Sequence, residues 1–319
     1  MSWQILIFPG KCFSGLHGKY KNMKIAITGA NSSVGQNLLS HIVALDDISA
    51  IAGVRSQRAI STLPESPSIE PRIISYDNID ELAGILEGAS CVVHLAGILI
   101  ENNKNNSTYA SANVAATAAV VRAAEKANVK HLVFISVIGA STDSSNAYFR
   151  SKAAAERVVC ESSIASTVIR TPILLGPGTA GADALVGTAM AGKVKLLGGG
   201  RYTMRPLDVD DLSRAILQCS KNQRIGAAVH ELVGPDSVIY HELIARVAEL
   251  LGKEVSIGSI PIWLAKLGVA ITSRLKGGGI SPAVIDVITA NEVVQRNADK
   301  DIGISLTALS VTLDKLVVK

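Results

Sequence analysis

Tyr148-Phe149-Arg150-Ser151-Lys152 sets a phenol and an amine four residues apart. On a helix that spacing puts both on one face. A phenol ordinarily ionises near pH ~10. A nearby ammonium favours the phenolate and lowers that value. The pair is therefore expected to supply a general acid or base close to neutral pH. The plain alternative is an exposed pair on a helix surface.

A second stretch, Met23-Lys-Ile-Ala-Ile-Thr-Gly-Ala-Asn-Ser-Ser-Val-Gly-Gln36, reads as strand, glycine turn and helix. Lys24–Thr28 is apolar and β-branched, Gly29 breaks it, and a helical pattern starts near Val34 and continues through Leu38, Leu39 and Ile42. That layout presents free backbone N–H groups and a helix dipole to a pyrophosphate. Gly29 permits a sharp turn, and Gly35 permits close packing of helix on strand. Ser32 stands where the dinucleotide fingerprint carries its middle glycine. An ordinary strand–helix turn is the alternative.

Both stretches need a scaffold, and the rest of the chain describes one. Further strands are predicted at Ile48–Val54, Arg72–Ser75, Cys91–Leu95, His131–Ser136 and Thr167–Arg170. Helices are predicted between them at Ile79–Leu86, Ser107–Ala127 and Ala147–Glu161. The alternation implies an α/β fold, a doubly wound parallel sheet with helices on both faces. Right-handed crossovers then bring Gly29, Arg55, Asp77, Ala96, Ser136 and Arg170 to one sheet edge. After Pro172 the pattern changes. Glycine is dense over Gly176–Gly200, and short strands (Val194–Leu197, Val229–Val233) mix with helices at His241–Leu251, Pro261–Leu275 and Pro282–Val294. The domain reading is a leader or extension over 1–22, a dinucleotide-binding core over 23–171, and a smaller α/β substrate lobe over 172–319 that could return a strand to the sheet.

Residues 1–22 stand apart: the apolar run Trp3–Phe8 precedes its lysines, the reverse of a secretory signal. An upstream start, an appended segment or a poor targeting segment would each fit. At 48% hydrophobic and 18% charged residues, the composition is that of a folded chain. Net charge is +4 with no basic stripe, so nucleic acid is not an expected partner. The most apolar stretch, Cys91–Ile100, contains His94 and is too short to cross a bilayer. Cys12, Cys91, Cys160 and Cys219 are widely spaced, so free thiols in a reducing, cytoplasmic setting are expected, and no metal. The helix from Pro261 carries Trp263, Leu264, Leu267 and Ile271 together with Lys266, Arg274 and Lys276. It suits either a core-facing helix or one resting on a membrane or a partner.

Taken together, Thr28-Gly29-Ala30-x-x-x-Val34-Gly35, His94-Leu95-Ala96-Gly97, Asn113-Val114-x-x-Thr117, Phe134-Ile135-Ser136, Tyr148-x-x-x-Lys152, Arg170-x-Pro172 with Gly176-Pro177-Gly178, and Arg205-Pro206-Leu207-Asp208-Val209-Asp210-Asp211 resemble the short-chain dehydrogenase/reductase superfamily. The resemblance is to its extended and atypical branches, including the NAD-dependent epimerase/dehydratase group, and covers nearly all of Met23–Lys319. Ser136–Ala140 and Tyr148–Ala153 look most like the group around the 39-kDa subunit of respiratory complex I.

The resemblance implies a Rossmann core and these roles. Tyr148 would be the acid/base, with Ser136 beside it. Lys152 would hold the nicotinamide ribose and tune Tyr148. Gly29, Asn31, Ser32, Ser33, Val34 and Gly35 would cradle the pyrophosphate. Asp77 would approach the adenine, unless it caps the helix at Ile79. Leu95, Ala96 and Gly97 would line the adenosine ribose region, and Pro172 would complete the cofactor site. Arg55 ends the second strand where NAD-specific members place an acid, which suits a 2′-phosphate and favours NADP over NAD. Arg205 matches an arginine that grips the diphosphate of nucleotide sugars; the alternative is an ion pair with Asp208, Asp210 or Asp211. Ile138 stands near the position of a substrate-binding Ser or Thr, for which Ser136, Ser141 or Thr142 could substitute.

The leading expectation is an NAD(P)-dependent oxidoreductase or epimerase acting on a carbonyl or carbinol carbon, with a small-molecule substrate such as a nucleotide sugar. A homodimer is compatible with it. One alternative is a non-catalytic NADP(H)-binding structural or assembly subunit of a membrane complex. The other is a redox-sensing binding protein.

Overall fold

Met23–Thr28 (β1) is apolar and buried along nearly its whole length, which requires a sheet covered on both faces. In the computed structural model, which describes residues 23–276 and 280–317, it pairs in parallel with Ile48–Val54 (β2) and with Cys91–His94 (β4). Ile69–Ile73 (β3), His131–Val137 (β5) and Ala165–Thr171 (β6) extend the sheet. Ala227–Glu231 returns from the C-terminal half and adds in parallel to β6. The order is β3-β2-β1-β4-β5-β6 followed by Ala227–Glu231, seven strands in one sheet. The chain winds outward from β1 to β3 and then restarts at β4. The crevice beyond the ends of β1 and β4 is therefore the topological switch point, where such folds bind ligands.

Alternate residues of β1 face opposite ways, and each face has its own core. Ile25 and Ile27 pack with Leu38, Leu39 and Ile42 of Ser33–Val43 (α1), and with Leu212 and Ile216 of a later helix. A short helix, Gln57–Ile60 (α2), follows β2. Ala26, Leu132 and Phe134 face the other way. They meet Leu82 and Leu86 of Ile79–Leu86 (α3), Val120 of Ala116–Lys126 (α4), and Ala155 and Val159 of Ala147–Cys160 (α5). A third cluster joins Leu185 of Ala180–Met190 (α6), Leu243 and Val247 of Tyr240–Leu250 (α8), and Leu309 and Leu313 near the C-terminus. It gives the later residues a core of their own.

Several boundaries differ from expectation. β3 is Ile69–Ile73 rather than Arg72–Ser75, because Ala50–Val54 pairs with Ile69–Ile73. Pro71 is tolerated there because β3 is an edge strand. The long helix expected over Ser107–Ala127 begins as a wide π-helical turn, Tyr109–Ala115, before α4. The helix expected over Pro282–Val294 stops at Ile288 (α10, Pro282–Ile288), since Asn291 and Glu292 bond backbone amides of other segments. The helices not expected include α6, within the glycine-dense stretch, Val209–Asn222 (α7), capped by Asp208, and Leu309–Val317. Ile262–Lys276 (α9) matches its expected place within a residue. The expected leader, 1–22, lies outside the described residues.

Candidate active site

At the switch point the backbone turns at Gly29, whose φ is +79°. A Cβ there would come within 3.1 Å of the Ala96 backbone nitrogen. Gly35 brings α1 against this turn, and a Cβ on it would lie 2.5 Å from the Ala30 carbonyl oxygen. Ser32 caps α1, its hydroxyl accepting from the Gly35 N–H at 3.1 Å. Ser33 and Val34 begin the first turn of α1, whose N–H groups have no acceptor within the helix. Of this stretch Gly29, Asn31 and Ser32 line the crevice, and Ser33, Val34 and Gly35 do not. The crevice is a cavity of about 730 Å³ lined by Gly29, Asn31, Ser32, Arg55, Asp77, Leu95, Ala96 and Gly97, among others. A nucleotide-sized space, glycines where any Cβ would obstruct, and a helix N-terminus fit a dinucleotide.

α5 lies behind the Gly97 side of that cavity and does not line it. Asn146 caps this helix, its side-chain oxygen accepting from the Tyr148 N–H at 2.9 Å and the Phe149 N–H at 3.4 Å. The cap holds the half-buried Tyr148 ring between Tyr109 (5.7 Å) and Phe149 (5.8 Å). One turn on, Lys152 is buried, donates to the Ile135 carbonyl at 2.8 Å and lies 4.4 Å over the Phe134 ring. Its Nζ is 3.8 Å from where a Cβ of Gly97 would be. Lys152 therefore lies beside Gly97 of the cavity wall without lining the cavity itself. Burial pushes Tyr148 up to about 12, with Tyr109 adding to the shift. Burial also lowers Lys152 to about 8, partly offset by the Glu156 carboxylate. This corrects the expected lowering of the phenol: desolvation outweighs any help from the ammonium, which is engaged with a carbonyl.

A buried polar thread runs beneath both. The Thr28 hydroxyl meets His94 Nδ1 at 2.6 Å, and His94 Nε2 meets the Thr117 hydroxyl at 3.0 Å. Thr117 donates to the Asn113 carbonyl at 2.7 Å, and Asn113 Nδ2 donates to the Ser151 hydroxyl at 3.0 Å. Burial, with the Lys152 charge adding, holds His94 down at about 3, so it stays neutral. Asn113 also pins Ile98 through both backbone groups. The π-helical turn aims Asn113 inward, as such turns do at functional sites. The thread ties the glycine-turn strand to the helix bearing Tyr148 and Lys152.

A family model described as NAD(P)H-binding matches residues 29–195, just over half of the chain. The chain belongs to this NAD(P)H-binding family. It is 24% identical over 260 residues to NADH dehydrogenase (ubiquinone) 1 alpha subcomplex subunit 9, mitochondrial, of Arabidopsis thaliana, covering 77% of this chain and 63% of that one. The chain thus spans less than two thirds of that relative's length. It is 24% identical over 303 residues to the 4-hydroxy-2-methyl-3-oxo-4-farnesyl-3,4-dihydroquinoline-1-oxide ketoreductase of Stigmatella aurantiaca, covering 87% and 90% of the two chains. Among solved structures it is similar in fold to MoeE5 in complex with UDP-glucose and NAD, with a TM-score of 0.72 at 20% identity over 92% of this chain and 97% of that one. These relatives and fold neighbours lie in the extended short-chain dehydrogenase/reductase group that the motifs resemble.

Within this NAD(P)H-binding chain, the remaining candidate residues divide. Arg55 and Asp77 are exposed on the cavity wall. Asp77 does not cap α3; Asn78 does, accepting from the Glu81 N–H at 3.2 Å. Ser136 is buried and its Oγ has no partner. Pro172 is buried directly after β6 and does not line the cavity. Ser141 lies in a separate depression with Glu156, Cys160 and Arg170. Arg205 forms none of the ion pairs considered for it. Asp208 and Asp210 hold Lys315, and Asp211 holds Arg214. Arg205 Nη2 instead donates to the Gly234 carbonyl at 2.8 Å, while its Nε is buried without a partner. Sequence reasoning missed Tyr76, Ile98 and Ser111 on the cavity wall. Asn113 and Thr117 were visible as a motif, but nothing in their spacing marked them as a thread through His94.

Proposed function

We propose that the chain is an NADP(H)-dependent reductase or epimerase that moves a hydride at a carbonyl or carbinol carbon, with Tyr148 exchanging the proton. The reading rests on one juxtaposition: Lys152 Nζ lies beside Gly97 of the cavity wall, and Lys152 is one helical turn from Tyr148. When bound, the cofactor supplies or accepts the hydride. The chain's own groups do the rest. The α1 N-terminus and the Gly29 turn would hold linked phosphates. Arg55, exposed on the wall, supports a 2′-phosphate and hence NADP. Lys152 would donate to a ribose hydroxyl. Tyr148, held protonated at neutral pH, would donate its proton to the substrate oxygen as the carbonyl carbon is reduced. That protonation state favours the reductive direction. Because Arg205 is already committed to the Gly234 carbonyl, we favour a ketone over a nucleotide sugar. The Stigmatella relative's name, a ketoreductase of a farnesyl-bearing compound, supports an apolar ketone.

The test is NADPH oxidation over a panel of aldehydes, ketones, a prenyl-bearing ketone and nucleotide sugars. Tyr148→Phe should retain NADPH binding and lose turnover by at least about a hundredfold. Tight NADPH binding by the wild type with no oxidation across the panel would refute the enzyme. It would favour a second reading, motivated by Ile138 and the unpartnered Ser136 Oγ: a structural subunit that keeps its cofactor without turnover.

A further inference from the structure

α9 exposes an apolar stripe. Trp263, Leu264, Leu267 and Ile271 are 68%, 47%, 54% and 56% exposed. At about 100° per residue they fall within one ~100° arc of the helix. Scattered apolar side chains need no explanation, but four on one arc do. The other side of α9 is fastened to α10 by the Lys266–Asp286 ion pair. α10 in turn buries Val284 and Ile285, and its Ala283 carbonyl accepts from Asn146 Nδ2 at 2.8 Å. Asn146 is the residue that caps the turn carrying Tyr148. The stripe is therefore the outer face of a helix pair braced against the candidate active site.

Its sequence indicates what covers it. Besides Lys266, which is paired with Asp286, Ile262–Lys276 carries Arg274 and Lys276 and no acid. That charge complements an anionic surface. Trp263 near one end has the amphipathic ring favoured at headgroup depth. At 15 residues the helix is about 22 Å long, too short for the roughly 30 Å hydrocarbon core. Among the described residues no helix is long and apolar enough to cross a membrane.

We infer that α9 docks the protein on an anionic lipid surface, lying in the interface plane with Trp263, Leu264, Leu267 and Ile271 toward the acyl chains. Docking there brings the Tyr148 side of the cleft to the membrane. The consequence that the substrate is drawn from the lipid phase rests on the reductase reading above; the docking itself does not.

The experiment uses the full chain carrying Trp3→Phe, so that Trp263 is the sole indole. The protein is sedimented with vesicles of phosphatidylcholine, with and without phosphatidylglycerol. Sedimentation with the phosphatidylglycerol vesicles, weakened by salt and accompanied by a blue shift of Trp263 emission, is expected. Leu267→Glu with Ile271→Glu should lower the partition coefficient by roughly tenfold or more without changing NADPH affinity. Ile225→Ser, another exposed apolar side chain remote from α9 in the chain, should leave it unchanged. Failure to sediment with either vesicle overturns docking, whatever the turnover assay shows. So does equal loss in the Ile225 variant. Concentration-dependent self-association that the Glu variants abolish would also overturn it, because a second copy would then cover the stripe.

Discussion

Lys152→Met should make the cofactor-free protein more stable near neutral pH. Lys152 is only 6% exposed, and burial lowers its ionisation from 10.5 to about 8. At about 1.4 kcal/mol per pH unit, that gap is a penalty of roughly 3 kcal/mol for holding the ammonium in the folded state. The sign follows from proton counting. Below pH 8 both states carry the proton and the whole penalty is present. Between about 8 and 10.5 the unfolded chain binds a proton that the folded chain has released, so wild-type stability rises with pH. Methionine has no such dependence. It forfeits the hydrogen bond to the Ile135 carbonyl and the contact with the Phe134 ring, together about 1–2 kcal/mol. The net expectation is a gain of about 1–2 kcal/mol near pH ~7, turning to a loss near pH ~10. Urea unfolding followed by circular dichroism across that range measures it. A variant less stable at every pH, or a difference that ignores pH, would refute the claim that this amine is held charged against its surroundings.

Three further outcomes follow from single contacts. Arg55→Glu should weaken NADPH binding by roughly tenfold to a hundredfold, the worth of one charge-assisted hydrogen bond, and change NADH binding far less; calorimetric titration with both decides it. Gly35→Ala places a methyl 2.5 Å from the Ala30 carbonyl oxygen, where only movement of α1 can relieve it. A loss of about 1–3 kcal/mol is expected, with a fall in melting temperature and in NADPH affinity together. Asn146→Ala removes the cap on the Tyr148 and Phe149 amides and the bond to Ala283. It should cost about 1–2 kcal/mol and speed hydrogen exchange at those two amides.

Periodicity was informative wherever a segment is buried on a regular pattern. β1, β2 and α3 fall where apolar spacing puts them, because sheet burial leaves no other solution. α6 was hidden by its composition: Ala-Gly-Ala-Asp-Ala-Leu-Val-Gly-Thr-Ala-Met is small and glycine-bearing, and only its Thr179 cap and its packing in the third core make it a helix. β3 slipped by register, which a partner strand sets and a single segment cannot. The wide turn at Tyr109–Ala115 depends on Asn113 reaching Ile98 and Ser151, contacts made across the fold.

The site was legible in the same uneven way. A Cβ on Gly35 would collide with the Ala30 carbonyl five residues back and Gly29 turns at φ +79°, and a turn motif can carry that information because both constraints are local. The Tyr148–Lys152 pair was equally visible as spacing. Its electrostatics were not, because ionisation depends on how much water each group keeps, and that is set by Tyr109, Phe134 and Ile135 arriving from other elements. The ammonium was expected to pull the phenol down; instead both groups are pushed toward neutrality by the same burial. At neutral pH a phenol at about 12 keeps its proton and an amine at about 8 stays mostly charged, so the two are a neutral proton donor and a buried cation, not an ion pair. A phenol held in that form fits delivery of a proton to an oxygen that gains charge as its carbon is reduced, and it would need a new neighbour, such as a bound cofactor's positive ring, before it could serve as a base.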